Sequence, residues 1–306
     1  MKAAVRPLLF QDMARYTKLY SKRARAGMIF VLPALLLLLL FKVCPIFMAL
    51  FASFTEWSTT KGFQRFVGLA NYAYLMKDPI FKQSLYNTII FAITLTAIQI
   101  LLAFFLAFLL YRTSFCTIVY RLIIFHPYAI SISIASLIWW IMYAEWGLIN
   151  SLIVKLGVQR QAWLSSPSLA LWALIIMLVW KGIGYWMMVL IAGINNVPHT
   201  LREAAVIDGA TTWQRLIYVE IPLLRRPIAF VFVADTIINF LLFAPPYIMT
   251  AGGPMNKTLL VPLYAYRMAF VYNDLGYAAA ISTVLLFVIS LVVAVELKIF
   301  SSRVVY

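Results

Sequence analysis

The run Leu32-Pro33-Ala34-Leu35 to Phe41 sits inside a nearly uncharged block from about Met28 to Ser53, too long and too apolar for a soluble core. Five more such blocks follow, at about 84–111, 119–143, 169–194, 227–249 and 276–300. A helix needs about 20 apolar residues to cross a bilayer, and in lipid the backbone must satisfy its own hydrogen bonds, which favours helices. Of the 306 residues 64% are hydrophobic and 11% charged, against about a quarter charged in soluble domains. The expectation is an all-α membrane protein with six transmembrane helices in one domain, 28–300. No room remains for a sizeable soluble enzyme domain.

Charge sets the orientation. Lys2, Arg6, Arg15, Lys18, Lys22, Arg23 and Arg25 crowd a basic arm, 1–27, opposed only by Asp12. The positive-inside rule places such a flank in the cytoplasm; alternation over six spans then puts the tail 301–306 there too, so both termini are cytoplasmic. The net charge of +15 needs no nucleic acid, because anionic headgroups of the lipid bilayer suffice as the arm's partner. Cys44 and Cys116 fall in or beside apolar spans, against a disulfide framework. His126 and His199 stand far apart, and no metal site is indicated. The first block is too long for a signal-peptide core and reads as retained, with Lys42 snorkelling to an interface.

Between spans four and five lies a polar stretch that itself reads as structured, 200–224. Thr200-Leu201-Arg202-Glu203 has the form of a capping box, with Thr200 as N-cap. A short helix then runs to Asp208 and ends at a left-handed Gly209. Thr211-Thr212-Trp213-Gln214 repeats the pattern, and the second helix is expected to stop at Pro222. Two short helices joined at a glycine make a rigid knob on the cytoplasmic side.

Glu203-Ala204-Ala205, three residues, Gly209, nine residues and Val219-Glu220-Ile221-Pro222 resembles the EAA loop of ABC importer membrane subunits. Other stretches agree: Phe66 to Tyr72 resembles F-x-G-L-x-N-Y, Gly147 to Asn150 resembles G-x-x-N, and Tyr247 to Thr258 resembles Y-x-L-T-x-G-G-P-x-x-x-T with Met249 in the Leu position. The chain is thus similar to the permeases of binding-protein-dependent carbohydrate importers, the maltose and glycerol-3-phosphate type. The resemblance implies the type I importer permease fold, with the knob docking on ATPase subunits through Glu203, Ala204, Ala205, Asp208, Gly209, Trp213 and Pro222; Arg202 and Arg215 are further contacts. It also implies two ABC ATPase subunits, a second homologous permease in a heterodimer, an extracytoplasmic solute-binding protein, and a bacterial or archaeal cytoplasmic membrane.

The sequence has no G-x-x-x-x-G-K-[ST] and not even a Gly-Lys dipeptide, so it carries no P-loop. The chain is read as no enzyme and as binding no cofactor; ATP and Mg belong to the partner ATPase subunits. Sugar recognition uses aromatic faces with orienting polar groups, and the candidates at mid-depth are Lys181, Tyr185, Asp235, Asn239 and Tyr247. Lys181 and Asp235 could instead pair with each other, since intramembrane charges commonly do. A phosphorylated or acidic substrate such as glycerol-3-phosphate stays open as an alternative. An ion-coupled secondary transporter is disfavoured, because no coupling-ion site or repeat is evident.

Overall fold

The structure is a computed structural model that describes residues 27–112 and 114–300. Residues 1–26 of the basic arm 1–27 and the tail 301–306, assigned above to the cytoplasm, lie outside the described residues. The chain divides into two compact units at Ala52 and Ser53.

The first unit is helix α1, Gly27–Ala52, interrupted by a π-helical turn at Leu39–Val43. Its large apolar side chains from Met28 to Met48 are exposed, and so is Lys42. An apolar surface all round a helix suits lipid.

The second unit opens with a hairpin, β1 Thr55–Ser58 and β2 Gly62–Phe66, antiparallel and paired Thr55 to Phe66. These strands depart from the all-helical expectation. Gly68 then turns the chain at φ +57°, and Asn71 in α2, Ala70–Leu75, donates to the carbonyls of Ser53 and Thr55 at 2.9 and 3.0 Å. The F-x-G-L-x-N-Y stretch is therefore a backbone-bonded corner.

Helix α3, Pro79–Leu110, begins earlier than expected, because Asp78 caps it and Pro79 occupies the first helical turn. Asp78 Oδ1 accepts from the Ile80 N–H at 2.8 Å, while Tyr264 and Tyr277 both donate to Oδ2. Burial pushes this carboxyl up, but the two tyrosine hydroxyls and the backbone N–H groups of Phe81 and Ile80 outweigh it and hold it below the usual aspartate range.

The third expected span is not straight. It consists of α4, Phe115–Ala129, and α5, Ile132–Met142, bent by 97°. Pro127 removes an amide donor near the end of α4, and Ile130 and Ser131 are extended. Helix α6, Leu148–Lys155, follows, with Asn150 buried and bonded to the backbone of Ala144 and Gln161.

Helix α7, Ala170–Asn195, matches the fourth span closely. Two short helices, α8 His199–Ile207 and α9 Thr212–Arg215, lead through a π turn, Leu216–Glu220, into α10, Ile221–Leu223. The fifth expected span breaks early. Its helix α11, Arg225–Phe240, ends well before Met249, and Ala244-Pro245-Pro246 lead instead into a π turn at Pro246–Thr250. Helix α12, Val261–Tyr266, and α13, Leu275–Phe300, complete the chain.

Among the described residues four helices are long and apolar enough to cross a membrane, or five if the bent pair counts as one span. The core forms where α3 packs on α7 and α11, with Ile100, Trp186, Leu190, Ile194 and Val231 buried together. A second core joins α3, α12 and α13 through Phe81, Tyr264, Tyr277 and Ile281. The small-residue start of α13 permits close approach: a Cβ on Gly276 would lie 2.1 Å from the Thr55 carbonyl.

Candidate functional site

The polar knob is built as two hinged pieces. Helix α8 starts at His199 with Pro198 at the N-cap and no side-chain cap. The expected Thr200 capping box is therefore absent, because Thr200 already lies inside the first turn. The end of α8 agrees with expectation: Gly209 takes φ +78°, and Ala210 N–H bonds the Ala205 carbonyl at 2.9 Å, as a left-handed residue permits. The second box does form, with Gln214 N–H donating to Thr211 Oγ1 at 3.3 Å and Thr211 N–H to Gln214 Oε1 at 2.8 Å. Pro222 does not stop the helix. It lies in the first turn of α10, just after the wider π turn, where its missing N–H is tolerated.

Glu203, Ala204, Asp208, Gly209, Trp213 and Pro222 are exposed. Ala205 is not; it packs inward at 8% exposure. Trp213 is 66% exposed and stacks on Phe108 of α3 at 6.2 Å.

Arg202 and Arg215, expected as outward contacts, both turn inward to Glu220. That carboxylate is fully buried, and its Oε1 lies 3.4 Å from Arg202 Nε and 3.2 Å from Arg215 Nε. Arg202 also donates to the Ile194 carbonyl at 2.5 Å and lies over the Tyr111 ring. The triad ties α8, α9 and the π turn to the ends of α3 and α7. Sequence reasoning passed over Glu220 as one letter of the loop pattern. The available signal was a carboxylate five residues after Arg215, a spacing that a π turn brings into register.

A second polar region lies among the spans. Lys181, Tyr185, Asp235 and Asn239 line one cavity of about 100 Å³ together with Gln99 and Tyr128. Lys181 and Asp235 do not pair. The Lys181 ammonium donates to the carbonyls of Ile130, Tyr128 and Pro127 at 2.6, 3.3 and 3.4 Å. It thereby satisfies the carbonyls that the α4–α5 bend strands in the membrane. Asp235, 1% exposed, accepts from Trp186 Nε1 at 2.6 Å and from Asn239 Nδ2 at 3.0 Å. Asn239 lies 2.9 Å from Thr96 Oγ1 and 3.3 Å from Gln99 Oε1, and Gln99 donates to the Leu178 carbonyl at 2.8 Å. Gly182 leaves room for that amide: its Cβ would lie 2.2 Å from Gln99 Nε2.

Tyr128 and Tyr185 stack at 4.4 Å with 15° between planes, forming an aromatic wall. Tyr128 and Gln99 were missed in the sequence because each looks like ordinary span content until the bend and the glycine place it. Tyr247 is elsewhere, stacked on Phe243 and beside Tyr266. Among the described residues no three of His, Cys, Asp and Glu come together as metal ligands, and both cysteines are free and exposed.

Comparison with known proteins places this architecture. Residues 99–306 match the family model of the binding-protein-dependent transport system inner membrane component. The chain is 34% identical over 268 residues to the probable ABC transporter permease protein PH1215 of Pyrococcus horikoshii, covering 87% of this chain and 92% of that one. It is 31% identical over 278 residues to the trehalose/maltose transport system permease protein MalF of Thermococcus litoralis, covering 90% and 93%. A chain of the crystal structure of a bacterial alginate ABC transporter, in complex with an alginate pentasaccharide-bound periplasmic protein, superposes with a TM-score of 0.77 at 20% identity, covering 94% and 95%; this likeness shows the fold. The protein belongs to the inner membrane components of binding-protein-dependent ABC importers, the permease subunits, and is a multi-pass protein of the cytoplasmic membrane.

Proposed function

We propose that this chain is the permease subunit of an ATP-driven importer that moves a sugar or oligosaccharide across a bacterial or archaeal cytoplasmic membrane. In this reading six segments span the bilayer with both termini in the cytoplasm, α11 with the residues after it serving as the fifth span. Two ABC ATPase subunits dock on the 200–224 loop and supply the energy with their ATP and Mg; a second permease and an extracytoplasmic binding protein complete the machine.

The observation that carries this reading is the knob itself. Two short helices hinged at Gly209 expose Glu203, Ala204, Asp208 and Trp213, while Arg202, Arg215 and Glu220 lock its underside to α3 and α7. A push on the exposed face would then reach the spans without dissipating in a slack loop. Ala205 contributes as inward packing and Pro222 as an exposed shoulder of the knob.

For the path, the Tyr128–Tyr185 wall and the Gln99 and Asn239 amides supply the apolar face and polar groups that a sugar needs. Asp235 serves by holding Asn239, and Tyr247 stands outside this cavity. A neutral saccharide fits better than an acidic one, because Lys181, the cation lining the cavity among the described residues, is already engaged by three carbonyls.

The test is uptake by proteoliposomes holding the chain, its second permease, ATPase subunits and binding protein, offered neutral and acidic saccharides. ATP-dependent uptake of a neutral sugar is expected. Uptake driven by an ion gradient without ATP would refute the reading.

A further inference from the structure

A cleft of about 690 Å³ opens between α8 and the ends of α3 and α7, apart from the sugar cavity. Three guanidiniums line it, those of Arg112, Arg202 and Arg215. Of the two carboxylates nearby, Glu203 stands exposed on the wall and Glu220 is sealed behind Arg202 and Arg215. Each arginine carries five N–H donors. The bonds they make are few: Arg202 to Ile194 O and, as an ion pair, to Glu220, Arg215 to Glu220, and Arg112 to the Tyr111 hydroxyl at 3.4 Å.

Two further observations point to a ligand. Arg202 is only 9% exposed; its Nε faces Glu220 Oε1 at 3.4 Å as an ion pair, and its one hydrogen bond among the described residues runs from Nη2 to the Ile194 carbonyl. Helix α8, nine residues long, begins at His199 on the wall of the same cleft with no side chain capping it. An uncapped helix start offers free N–H groups and the positive end of the helix dipole, an arrangement suited to phosphate.

The cleft is compatible with ATPase docking on the same helix. At about 100° per residue, His199, Arg202, Glu203, Val206 and Ile207 fall on one side of α8, and all line the cleft. Ala204 and Asp208 fall on the other side and are exposed.

We propose that this cleft binds the phosphate of an anionic phospholipid headgroup. Tyr111 and Asn195, on its walls, stand at the ends of two membrane-spanning helices, and Val206 and Ile207 present exposed apolar surface beside the guanidiniums. A soluble phosphate has no use for that apolar wall; a lipid's glycerol and acyl carbons do. Basic pockets between spanning helices on the cytoplasmic side take such headgroups.

The experiment takes the assembled transporter in detergent, stripped of lipid, and adds back phosphatidylglycerol, phosphatidylcholine or inorganic phosphate. Native mass spectrometry then reads which species are retained. Phosphatidylglycerol should be retained in preference to phosphatidylcholine. Arg112→Gln should weaken that retention about fivefold, the worth of one basic residue near an anionic headgroup, and Arg226→Gln, outside the cleft, should leave it unchanged. Equal retention of both lipids, or equal loss in both variants, would overturn the proposal. Saturation by inorganic phosphate with no lipid held would reassign the cleft to a soluble ion. Loss of the ATPase subunit in Arg112→Gln, with no lipid on the assembled wild type, would make it a protein contact instead.

Discussion

At the residue scale the buried charges matter most, because each is satisfied by a specific geometry. Glu220, fully buried, answers two arginines. Glu220→Gln should cost about 3–5 kcal/mol, the usual result of stranding a buried cation, seen as a lower unfolding temperature in detergent. Lys181→Met should cost about 1–3 kcal/mol, since it leaves carbonyls at the α4–α5 bend without a donor. Asp78 gives a pH signature. Its folded carboxyl titrates below the ordinary value of about 3.9, so its contribution is fully present above that pH and is lost as pH falls through the lower folded value. Unfolding temperature should therefore drop below about pH 4 in the wild type, and this component of the drop should be missing in Asp78→Asn. These three roles were poorly legible in sequence. Lys181 is expected from the sequence to line the path or to pair with Asp235, but its partners are carbonyls freed by a bend 51–54 residues away. Glu220 needed a π turn to meet Arg215, and Asp78 needed two tyrosines from distant helices.

At the scale of elements, α1, α3, α7 and α13 could be read from apolar length alone, to within a few residues except at the start of α3. The two remaining spans were misjudged for a common reason: each has proline near a point where other elements can satisfy the freed backbone. Hydropathy registers composition and is blind to direction, so Pro127 and Ala244-Pro245-Pro246 passed as span interior. The knob was largely legible because Gly209 and the Thr211–Gln214 box act locally. Its Thr200 cap was not, because the helix is entered at Pro198, two residues sooner. Close helix contact yields a further prediction. A Cβ on Gly184 would lie 2.2 Å from the Ile124 carbonyl, where α4 crosses α7. Backbone cannot move aside as a side-chain end can, so Gly184→Ala should cost about 1–3 kcal/mol as overpacking, measured by thermal unfolding. Gly157→Ser makes a useful contrast: it has open space but φ +82°, so only backbone strain of about 1–2 kcal/mol is expected.

For the whole molecule the account is mechanical. In the proposed function the 200–224 loop, locked beneath by the Arg202–Glu220–Arg215 triad and turned at Gly209, would receive force from an ATPase subunit and pass it to α7 and α11, between which the proposed sugar cavity lies. Gly209→Pro is the sharpest probe, since proline holds φ near −65° and the hinge stands at +78°. The direct measurement is ATP hydrolysis and sugar uptake together, in proteoliposomes of the assembled transporter, for wild type and Gly209→Pro matched for folding and subunit content. The account predicts that the variant loses uptake while remaining assembled, whether hydrolysis falls with it or continues uncoupled. Full uptake by Gly209→Pro, coupled to ATP as in the wild type, would contradict the knob as the transmission element.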